Sequence, residues 1–409
     1  MQNHCPRLRL LAASFLTSVT VGSAAYAQPA QERKLDITAA ARIEYDSNVL
    51  RASDSQQLTS GHKSDIRYSP SLDLDIYLPL SRQAVFLGGT IGYDFYQRNT
   101  TLNRERIALR GGADYQLGRC SGTLSADYSR QLSDLTDFYD PLTGDLLSGD
   151  NTEERRSVDF SVGCSRAYGL RPFASTGYAQ ERNSQFNRRR GNNNSWYGQV
   201  GLGYVGPTFG QLSLIGRYSR INYPNRFGFD GTNFIKDGVE VMSGGVTYDR
   251  EIGSRLRTNL SLTYTKVDPK LPGTRKFNGL SWSGDLMWQG SNILLNAGLS
   301  RSVSPSNLID VSYEIEEEYH VNGTYAANEA LRFNAGASYI KQRYNQSSST
   351  PIFLSRGGDR TYQATGGVTY QFRRRLSLGA DVTREWRRSN ISFFEYNGTR
   401  AGLTARVTF

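Results

Sequence analysis

Residues 399–409, with the sequence TRAGLTARVTF, close the chain and decide its fold. Successive side chains of an extended strand point to opposite faces, so this stretch has one apolar face and one mostly polar face. The apolar face carries Thr399, Ala401, Leu403, Ala405, Val407 and Phe409, and the other face carries Arg400, Gly402, Thr404, Arg406 and Thr408. A soluble sandwich could bury such a face. However, small and aliphatic residues that end on a terminal aromatic ring are typical of a lipid-facing barrel strand.

The same alternation recurs along almost the whole chain. It covers residues 35–45, 66–78, 85–95, 107–117, 122–128, 158–164, 172–178, 196–204, 212–218, 242–248, 256–264, 280–288, 293–299, 319–325, 331–339, 362–370, 376–382 and 399–409. Propeller blades share the repeat of roughly forty residues, but a blade has four short strands, whereas each repeat here has two strands of about 9 to 13 residues, long enough to cross a bilayer. The sequence therefore predicts an all-β fold, a transmembrane antiparallel up-and-down β-barrel of about 18 strands, an even number as in single-chain bacterial barrels.

The connections between these strands alternate in length. Short ones are expected near residues 80–82, 118–120, 167–170, 206–210, 250–254, 290–292, 327–330 and 371–374. Longer ones are expected at about 46–64, 97–104, 130–156, 181–194, 220–238, 267–278, 302–317, 341–359 and 386–398. Short periplasmic turns that alternate with longer external loops are the pattern of bacterial outer-membrane barrels, and a two-sheet sandwich has no reason to show it.

Aromatic residues gather at both ends of the predicted apolar band. Strands that run toward the short turns end on Tyr115, Tyr204, Tyr248, Trp288, Tyr325, Tyr370 and Phe409, and those that run toward the long loops end on Tyr45, Phe95, Tyr128, Tyr178, Tyr218, Tyr264, Tyr339 and Trp386. Amphipathic rings are favoured at the two membrane interfaces. The sequence therefore predicts a location in the bacterial outer membrane.

The amino-terminal residues predict export. Arg7 and Arg9 precede an apolar run at residues 10–21, and residues 25–27, AYA, form the small-x-small pattern of a cleavage site. We expect a signal peptide at 1–27 rather than an amphipathic first helix, a short amino-terminal segment at 28–34 and the barrel at 35–409. Removal of residues 1–27 takes away two arginines and no acid, which lowers the formal charge from +10 to +8. In an exported protein this mild basic bias favours contact with anionic lipid or glycan over nucleic acid.

The sequence offers no constellation for catalysis or metal binding. The predicted mature chain holds only two histidines, His62 in the first long loop and His320 on an inward face, so no histidine cluster with metal-ligand spacing exists. His320 lies near Glu316 and Glu318 but has no assignable serine partner for a hydrolase. We therefore expect no enzyme and no cofactor.

The inward faces carry charged side chains of both signs. The candidates for lining the lumen are Arg42, Arg67, Arg110, Asp114, Asp127, Arg217, Arg332, Arg400 and Arg406. Any water-filled barrel requires polar residues there, but opposing rows of Arg and Asp also create a transverse field for a polar solute. In the loops, residues 188–190, RRR, are the densest external basic run, either a solvated loop or a contact for phosphates of lipopolysaccharide. The loop at residues 130–156, with Asp137, Asp140, Asp145, Asp150 and Glu153, would narrow the lumen if it turned inward.

Two cysteines follow the predicted signal peptide. Cys120 opens the fifth strand just after a short turn, and Cys164 closes the sixth strand just before the next short turn. In antiparallel neighbours these positions lie at the same periplasmic end. We predict a disulfide between them.

Residues 44–51, EYDSNVLR, close the first predicted strand. This element resembles the type 2 β-barrel porin family, outer-membrane proteins associated with bacterial exopolysaccharide gene clusters, through Glu44, Tyr45, Asp46 and Asn48. Ser47 departs from the family pattern, in which an acidic residue is common at this place. The resemblance implies an outer-membrane channel of a Gram-negative bacterium, linked to polysaccharide export or surface assembly. Read from the residues alone, Asp46 and Asn48 also suit a turn without any ligand.

Three functions follow from these observations. The first is a channel for exopolysaccharide export or surface assembly; the alternatives are a general or sugar-uptake porin and a closed structural barrel that anchors a surface complex. The expected partners are outer-membrane lipid and lipopolysaccharide, the outer-membrane insertion machinery, polysaccharide and export-complex proteins, with no nucleic acid. Phe409 resembles the terminal aromatic signal that the insertion machinery reads.

Overall fold

A computed structural model describes residues 33–54, 61–133, 151–164, 168–229, 232–306, 311–346 and 357–409. The described part of the chain forms eighteen strands. They are β1 Lys34–Asp46, β2 Asp65–Leu80, β3 Gln83–Tyr96, β4 Arg104–Leu117, β5 Cys120–Leu132, β6 Thr152–Cys164, β7 Gly169–Asn183, β8 Asn193–Gly206, β9 Gly210–Phe229, β10 Phe234–Ile252, β11 Leu256–Pro269, β12 Phe277–Gln289, β13 Ile293–Pro305, β14 Val311–Ala326, β15 Leu331–Gln346, β16 Gly358–Arg373, β17 Leu376–Ser389 and β18 Tyr396–Thr408. Short 3-10 helices occur at Thr100–Leu102, Asn187–Gly191 and Ser392–Phe394.

The strands close into a barrel. Each strand pairs antiparallel with its neighbours along the chain, and β18 returns to pair with β1, for example at Ala41 opposite Ala405 and Ile43 opposite Leu403. Closure leaves no unpaired strand edge, which the hydrocarbon core of a membrane would penalise by several kcal/mol per unpaired group. The predicted antiparallel barrel of about 18 strands is confirmed.

The outer face of the wall is apolar and exposed. Leu403 is 63 % exposed, and Val200 and Leu214 are each 64 % exposed. A belt of this kind on a closed barrel is the surface that lipid covers, because burial in lipid removes it from water. The opposite face of each strand is largely polar within the membrane-spanning part of the wall, and a buried apolar cluster that includes Tyr223, Val239 and Val267 lies toward its external end.

The aromatic rings border this belt at both ends. Tyr204 and Tyr370 lie exposed near the short turns, and Tyr45 and Tyr264 lie exposed near the external connections. The carboxy-terminal Phe409 is 68 % exposed, and its backbone amide donates to the carbonyl of Ile37 at 2.9 Å. The chain therefore closes on β1 at the end of the barrel that carries the short turns.

Several external connections are shorter than the sequence predicted. The predicted loop at 220–238 is wrong, because β9 continues to Phe229 and β10 begins at Phe234, so that only residues 230–233 connect them. The lipid-facing alternation ends at the membrane interface, but backbone pairing continues beyond it, with Ile221 and Tyr223 buried on the inner face. Strand ends read from apolar alternation alone therefore fall short on the external side. In the described residues, no helix is long and apolar enough to span a membrane.

Candidate functional site

The register of the strands places the predicted lumen residues on the inner face. Arg42 lies opposite Thr404, Arg67 opposite Glu44, and Arg400 opposite Thr383. The other candidates also occupy inward-facing positions of the strand alternation; they are Arg110, Asp114, Asp127, Arg217, Arg332 and Arg406. These side chains alternate with the lipid-facing ones, so one wall presents both surfaces.

An ion-pair ladder crosses the inner face from β17 to β4. Arg42 contacts both Asp381 and Glu44, at 2.6 and 2.7 Å, and Arg67 contacts the other oxygen of Glu44 at 2.7 Å. Asp94 continues the ladder to Arg67 at 3.5 Å. Hydrogen bonds between charged groups hold the long arginine side chains in defined positions, so that the ladder presents a fixed pattern of charge to the lumen.

The ladder has extensions on both sides. Arg400 Nη2 lies 3.0 Å from Glu385 Oε2 on β17, and Arg106 Nε lies 3.6 Å from Asp94 Oδ1 on β4. Charged residues therefore cover the inner face of six consecutive strands, from β17 through β18 and β1 to β4.

Arg217 belongs to a separate lumen group on the opposite part of the wall. Its guanidinium lies 4.2 Å from the centroid of the Tyr197 ring, within the range of a cation–π contact. The Tyr197 hydroxyl donates to Asp159 Oδ1 at 2.7 Å. The three side chains lie on β9, β8 and β6, so this group spans part of the wall where most inward residues are uncharged.

The remaining lumen candidates make fewer or longer polar contacts than the residues of the ladder. Arg110 lies 3.7 Å from Asp127, and both side chains are more than 40 % exposed. Asp114 accepts a hydrogen bond from the Thr123 hydroxyl at 2.6 Å. Arg332 lies opposite Thr369, and Arg406 opposite Ser377, near the short turns.

Hydroxyl and amide groups dominate the inner face between β8 and β13. By register these inward side chains include Gln199, Ser213, Ser243, Asn259, Ser261, Thr263, Ser281, Ser283, Asn296 and Ser300. The lumen therefore has a charged side and a neutral polar side. Neutral groups exchange hydrogen bonds with a solute without the large desolvation cost of bare charges.

The EYDSNVLR element is divided between three environments. Tyr45 is 48 % exposed on the outer face, whereas Glu44 and Asp46 are buried on the inner face. Asn48 is buried, and its side-chain amide donates to the carbonyls of Ala52 and Asn397 and accepts from the Ala52 amide, all within 2.9 Å. Asn48 therefore anchors the first external connection to β18, which is the turn role that its residue type suggested.

Arg51 completes this turn. Its φ of 53° lies in the left-handed region, and its guanidinium contacts Asp46 at 2.9 Å. Burial alone would lower the pKa of Arg51, but the carboxylates of Asp46 and Glu385 and the Tyr396 hydroxyl outweigh it and raise the pKa above its ordinary value. Arg51 therefore stays charged, and the strained residue is held in place by its ion pair.

A cavity of about 170 Å³ opens at this end of the charged side. Its lining consists of Glu44, Asp46, Val49, Arg51, Asp65, Arg67, Tyr96, Leu132 and Arg400. We call it the mouth cavity. Tyr96 supplies an aromatic ring within 6.0 Å of the Arg67 guanidinium. The mouth cavity therefore combines three arginines, three carboxylates and one aromatic ring at the external end of the lumen.

Apolar residues of the external connections support the mouth cavity. Val49, Leu50 and Ala52 form a buried cluster with Tyr96 and Leu102. The sequence reasoning did not predict this cluster. The signal was the apolar pair Val49 and Leu50 inside a loop, where a solvated connection would carry polar residues.

A second buried group lies at the external end of β9 and β10. The Tyr223 hydroxyl donates to the Ser312 carbonyl at 2.9 Å and accepts from the Ser306 amide at 3.1 Å, so the external ends of β13 and β14 contact the inner face of β9. Arg226 and Asp237, both buried, form an ion pair at 3.4 Å beside it. This group also escaped sequence prediction, because its members lie in segments assigned to loops.

The other predicted residues lie apart from the mouth cavity. Cys120 and Cys164 are directly opposite each other on β5 and β6 and are joined in a disulfide. The basic run 188–190 lies in the 3-10 helix Asn187–Gly191, between β7 and β8. His320 contacts Asn296 at 3.1 Å and Glu318 at 3.6 Å on the inner face. Asp137, Asp140, Asp145 and Asp150 lie outside the described residues, so the inward loop stays a prediction, whereas Glu153 belongs to β6.

The described residues contain no group of three or more His, Cys, Asp or Glu side chains that could hold a metal ion.

A family model described as "Putative beta-barrel porin 2" matches residues 213–409. The closed barrel, its exposed apolar belt and this match agree with one another. The chain is a porin-like β-barrel of the bacterial outer membrane. The EYDSNVLR element lies outside the matched residues, so its link to the type 2 family stays a prediction.

Solved structures that match this chain include porins and a receptor of Pseudomonas. The outer membrane protein OpdK from Pseudomonas aeruginosa is 11% identical, with 92% of this chain and 99% of that chain covered and a TM-score of 0.47. A BenF-like porin from Pseudomonas fluorescens Pf-5 is 12% identical, with 93% and 99% covered and a TM-score of 0.47. The siderophore receptor PirA from Pseudomonas aeruginosa is 11% identical, with 93% and 81% covered and a TM-score of 0.42. Among curated proteins, none matches the chain significantly.

Proposed function

We propose that this barrel is a channel that passes a saccharide chain, in the export or surface assembly of an exopolysaccharide. The observation that carries the proposal is the mouth cavity, in which Arg67 and Arg400 face Glu44 and Asp46 beside the Tyr96 ring. Saccharide hydroxyls both donate and accept hydrogen bonds. Carboxylates, guanidinium groups and an aromatic ring held together therefore suit such a solute.

The neutral side of the lumen supports passage rather than capture. A conducting path must bind its solute weakly and at several sites, so that the solute also leaves. The Ser, Thr, Asn and Gln side chains of β8 to β13 offer such exchangeable hydrogen bonds. The outward direction is taken from the resemblance of residues 44–51 to porins associated with exopolysaccharide genes.

Two other functions have observations of their own. The ladder, in which Arg42, Arg67 and Arg106 alternate with carboxylates, favours a general or sugar-uptake porin, because fixed charges of both signs create a transverse field for a small polar solute. The packing of Val49 and Leu50 at the mouth favours a closed barrel that anchors a surface complex. Two measurements distinguish the three functions: the ion conductance of the purified barrel and the surface polysaccharide of a deletion strain.

The current measurement uses the purified barrel in planar bilayers. We expect ion conductance that soluble fragments of the cell's own surface polysaccharide interrupt. The double variant Arg67→Gln/Arg400→Gln is expected to bind the fragments at least about tenfold more weakly, because two charge-assisted hydrogen-bonding groups are lost. The matched control is Arg130→Gln/Arg156→Gln, which removes two arginines outside the lumen. A barrel without conductance would support the anchor and exclude both channels.

The genetic measurement uses a deletion strain. Staining of surface and secreted polysaccharide is expected to fall in the deletion strain and to return with the wild-type gene. Unchanged polysaccharide, together with an open conducting barrel, would reject export and favour the uptake porin. Recovery by the wild type but not by Arg67→Gln/Arg400→Gln would connect the mouth cavity to export.

A further inference from the structure

The outer face of β14 to β17 carries an unbroken aromatic row. Tyr319 lies opposite Tyr339, Tyr339 opposite Tyr362, and Tyr362 opposite Trp386. The ring centroids of Tyr339 and Tyr362 are 4.9 Å apart, and those of Tyr319 and Tyr339 are 6.0 Å apart. Leu299 and Val382, exposed beside and below this row, belong to the apolar belt. The row therefore marks the external interface of the membrane.

Cations lie directly above this aromatic row, on the external side. Lys341 lies opposite Arg360, and Arg360 opposite Arg388, each two residues beyond an aromatic of the row and on the same outer face. Arg343 follows Lys341 on β15 after one more step of the alternation. We call Lys341, Arg343, Arg360 and Arg388 the basic row.

Two carboxylates organise the basic row without neutralising it. Glu317 accepts from Arg343 at 2.6 Å and from Lys341 at 3.4 Å, and Glu395 lies 3.8 Å from Arg388. Arg360 is exposed and pairs with no carboxylate among the described residues. Four cations therefore face two acids, and Arg343 and Arg388 remain about half exposed.

A second group of charges on the outer face provides a comparison. On β4 to β6, Arg130 contacts Glu105 and Glu154, and Arg156 also contacts Glu154. This group lies beside and above Tyr128, at the same external interface, but its two arginines are balanced by two glutamates. Excess positive charge at the interface therefore distinguishes the β15–β17 face from the β4–β6 face.

We infer that the basic row binds the phosphate groups of lipid A, the membrane anchor of lipopolysaccharide. The occupant of this face is lipid, because the row is continuous with the apolar belt below it. Directly above the aromatic row lie the headgroups of the outer leaflet. Lipid A there carries phosphates on a saccharide, and arginine pairs with phosphate through two parallel hydrogen bonds. The exposed Arg360, between Lys341 and Arg388, provides such a site.

The proposed site is tested by lipid retention on the purified barrel. Wild-type barrel in mild detergent is incubated with purified lipid A, and the bound lipid is counted by native mass spectrometry. The variant Lys341→Gln/Arg360→Gln is expected to bind lipid A about tenfold more weakly, since each interfacial cation contributes to headgroup binding. The matched control Arg130→Gln/Arg156→Gln is expected to stay within about twofold of the wild type, because that group is charge-balanced.

Further binding experiments distinguish the phosphates of lipid A from free inorganic phosphate. Lipid A from which the phosphates have been removed is expected to lose the difference between wild type and variant. Inorganic phosphate at millimolar concentration is expected not to displace lipid A, because it lacks the acyl chains that the apolar belt covers. Equal retention of lipid A by both double variants would overturn the assignment. So would a wild-type affinity for phosphatidylglycerol equal to that for lipid A. Heat-modifiable migration on gels shows that each variant forms a folded barrel before its lipid binding is compared.

Discussion

Arg42 on β1 and Asp381 on β17 form an ion pair across β18, with 2.6 Å between Nη1 of the guanidinium and Oδ1 of the carboxylate. The two residues are 339 positions apart in the chain. Because β18 is the strand that closes the barrel, this pair ties both neighbours of the closing strand together on the lumen side. The same guanidinium donates to the Thr404 hydroxyl of β18 at 3.1 Å, so one side chain contacts all three strands of the seam.

Arg42→Gln is therefore expected to weaken the closing seam. The substitution removes charge-assisted hydrogen bonds to Asp381 and Glu44, and we expect the free energy of unfolding to fall by about 1–3 kcal/mol. Urea unfolding of the refolded barrel in lipid vesicles, followed by tryptophan fluorescence, measures the change. Arg110→Gln is the control, because Arg110 and Asp127 are exposed and 3.7 Å apart, and its change should stay below about 1 kcal/mol. Equal losses for the two variants would contradict a special role of the seam.

Asn48→Ala is expected to release the first external connection from β18. Asn48 is buried, and its side chain is the donor or acceptor in three hydrogen bonds to the backbone. We expect a loss of about 1–3 kcal/mol and faster cleavage near residues 49–54 by a protease added to intact cells. Asn225→Ala, at an exposed position with one hydrogen bond to the Arg189 carbonyl, is the matched control. Unchanged cleavage in Asn48→Ala would show that the apolar cluster alone holds this connection.

The cysteine pair predicts a barrel without free thiols. Titration of the denatured, unreduced mature protein should detect none, and detection of two would refute the disulfide. Cys120→Ser/Cys164→Ser is expected to lower the free energy of unfolding by on the order of 3 to 4 kcal/mol, because the bond closes a loop of 44 residues in the unfolded chain. Reduction of the wild type should reproduce the effect of the double variant and leave that variant unchanged.

Deletion of Phe409 is expected to harm membrane insertion rather than transport. Its ring is exposed at the end of the closing strand, where it makes no contribution to the lumen. The amount of heat-modifiable barrel in outer-membrane fractions should fall severalfold, while the conductance of each inserted molecule stays unchanged. Phe372→Ala removes another exposed ring near the short turns and serves as the control. Normal membrane levels after deletion of Phe409 would count against its role as an assembly signal.

The fold was accessible from the sequence because lipid imposes a local rule. Each spanning strand must alternate between a lipid face and a lumen face. The residues from Ala401 to Phe409 are therefore enough to identify their strand as a membrane-spanning one and to assign its two faces. The same rule placed the aromatic residues at the two interfaces. It failed at residues 220–238, where the strands extend beyond the membrane and the buried apolar side chains, Ile221 and Tyr223, lie on the inner face instead of the lipid face.

The site was accessible only in part. The alternation assigned Arg42, Arg67 and Arg400 to the inner face, but it did not identify their partners. Glu44 was noticed as a member of a motif, whereas its position between two guanidinium groups depends on the pairing of β1 with β2. Tyr223, Asp237 and Ser312 were missed, because their contacts join segments that no local pattern connects.

The sequence by itself thus determined the barrel, the approximate number of its strands and the two faces of each strand, since these follow from side-chain alternation within about ten residues. Only the tertiary structure decided which charges meet along the inner wall, how the mouth cavity is enclosed and where the outer face carries excess positive charge. Those features depend on the register between distant strands and on many small packing terms in the external connections. The contact of Arg42 with Asp381 is of this second kind, because it exists only once β18 has closed the barrel.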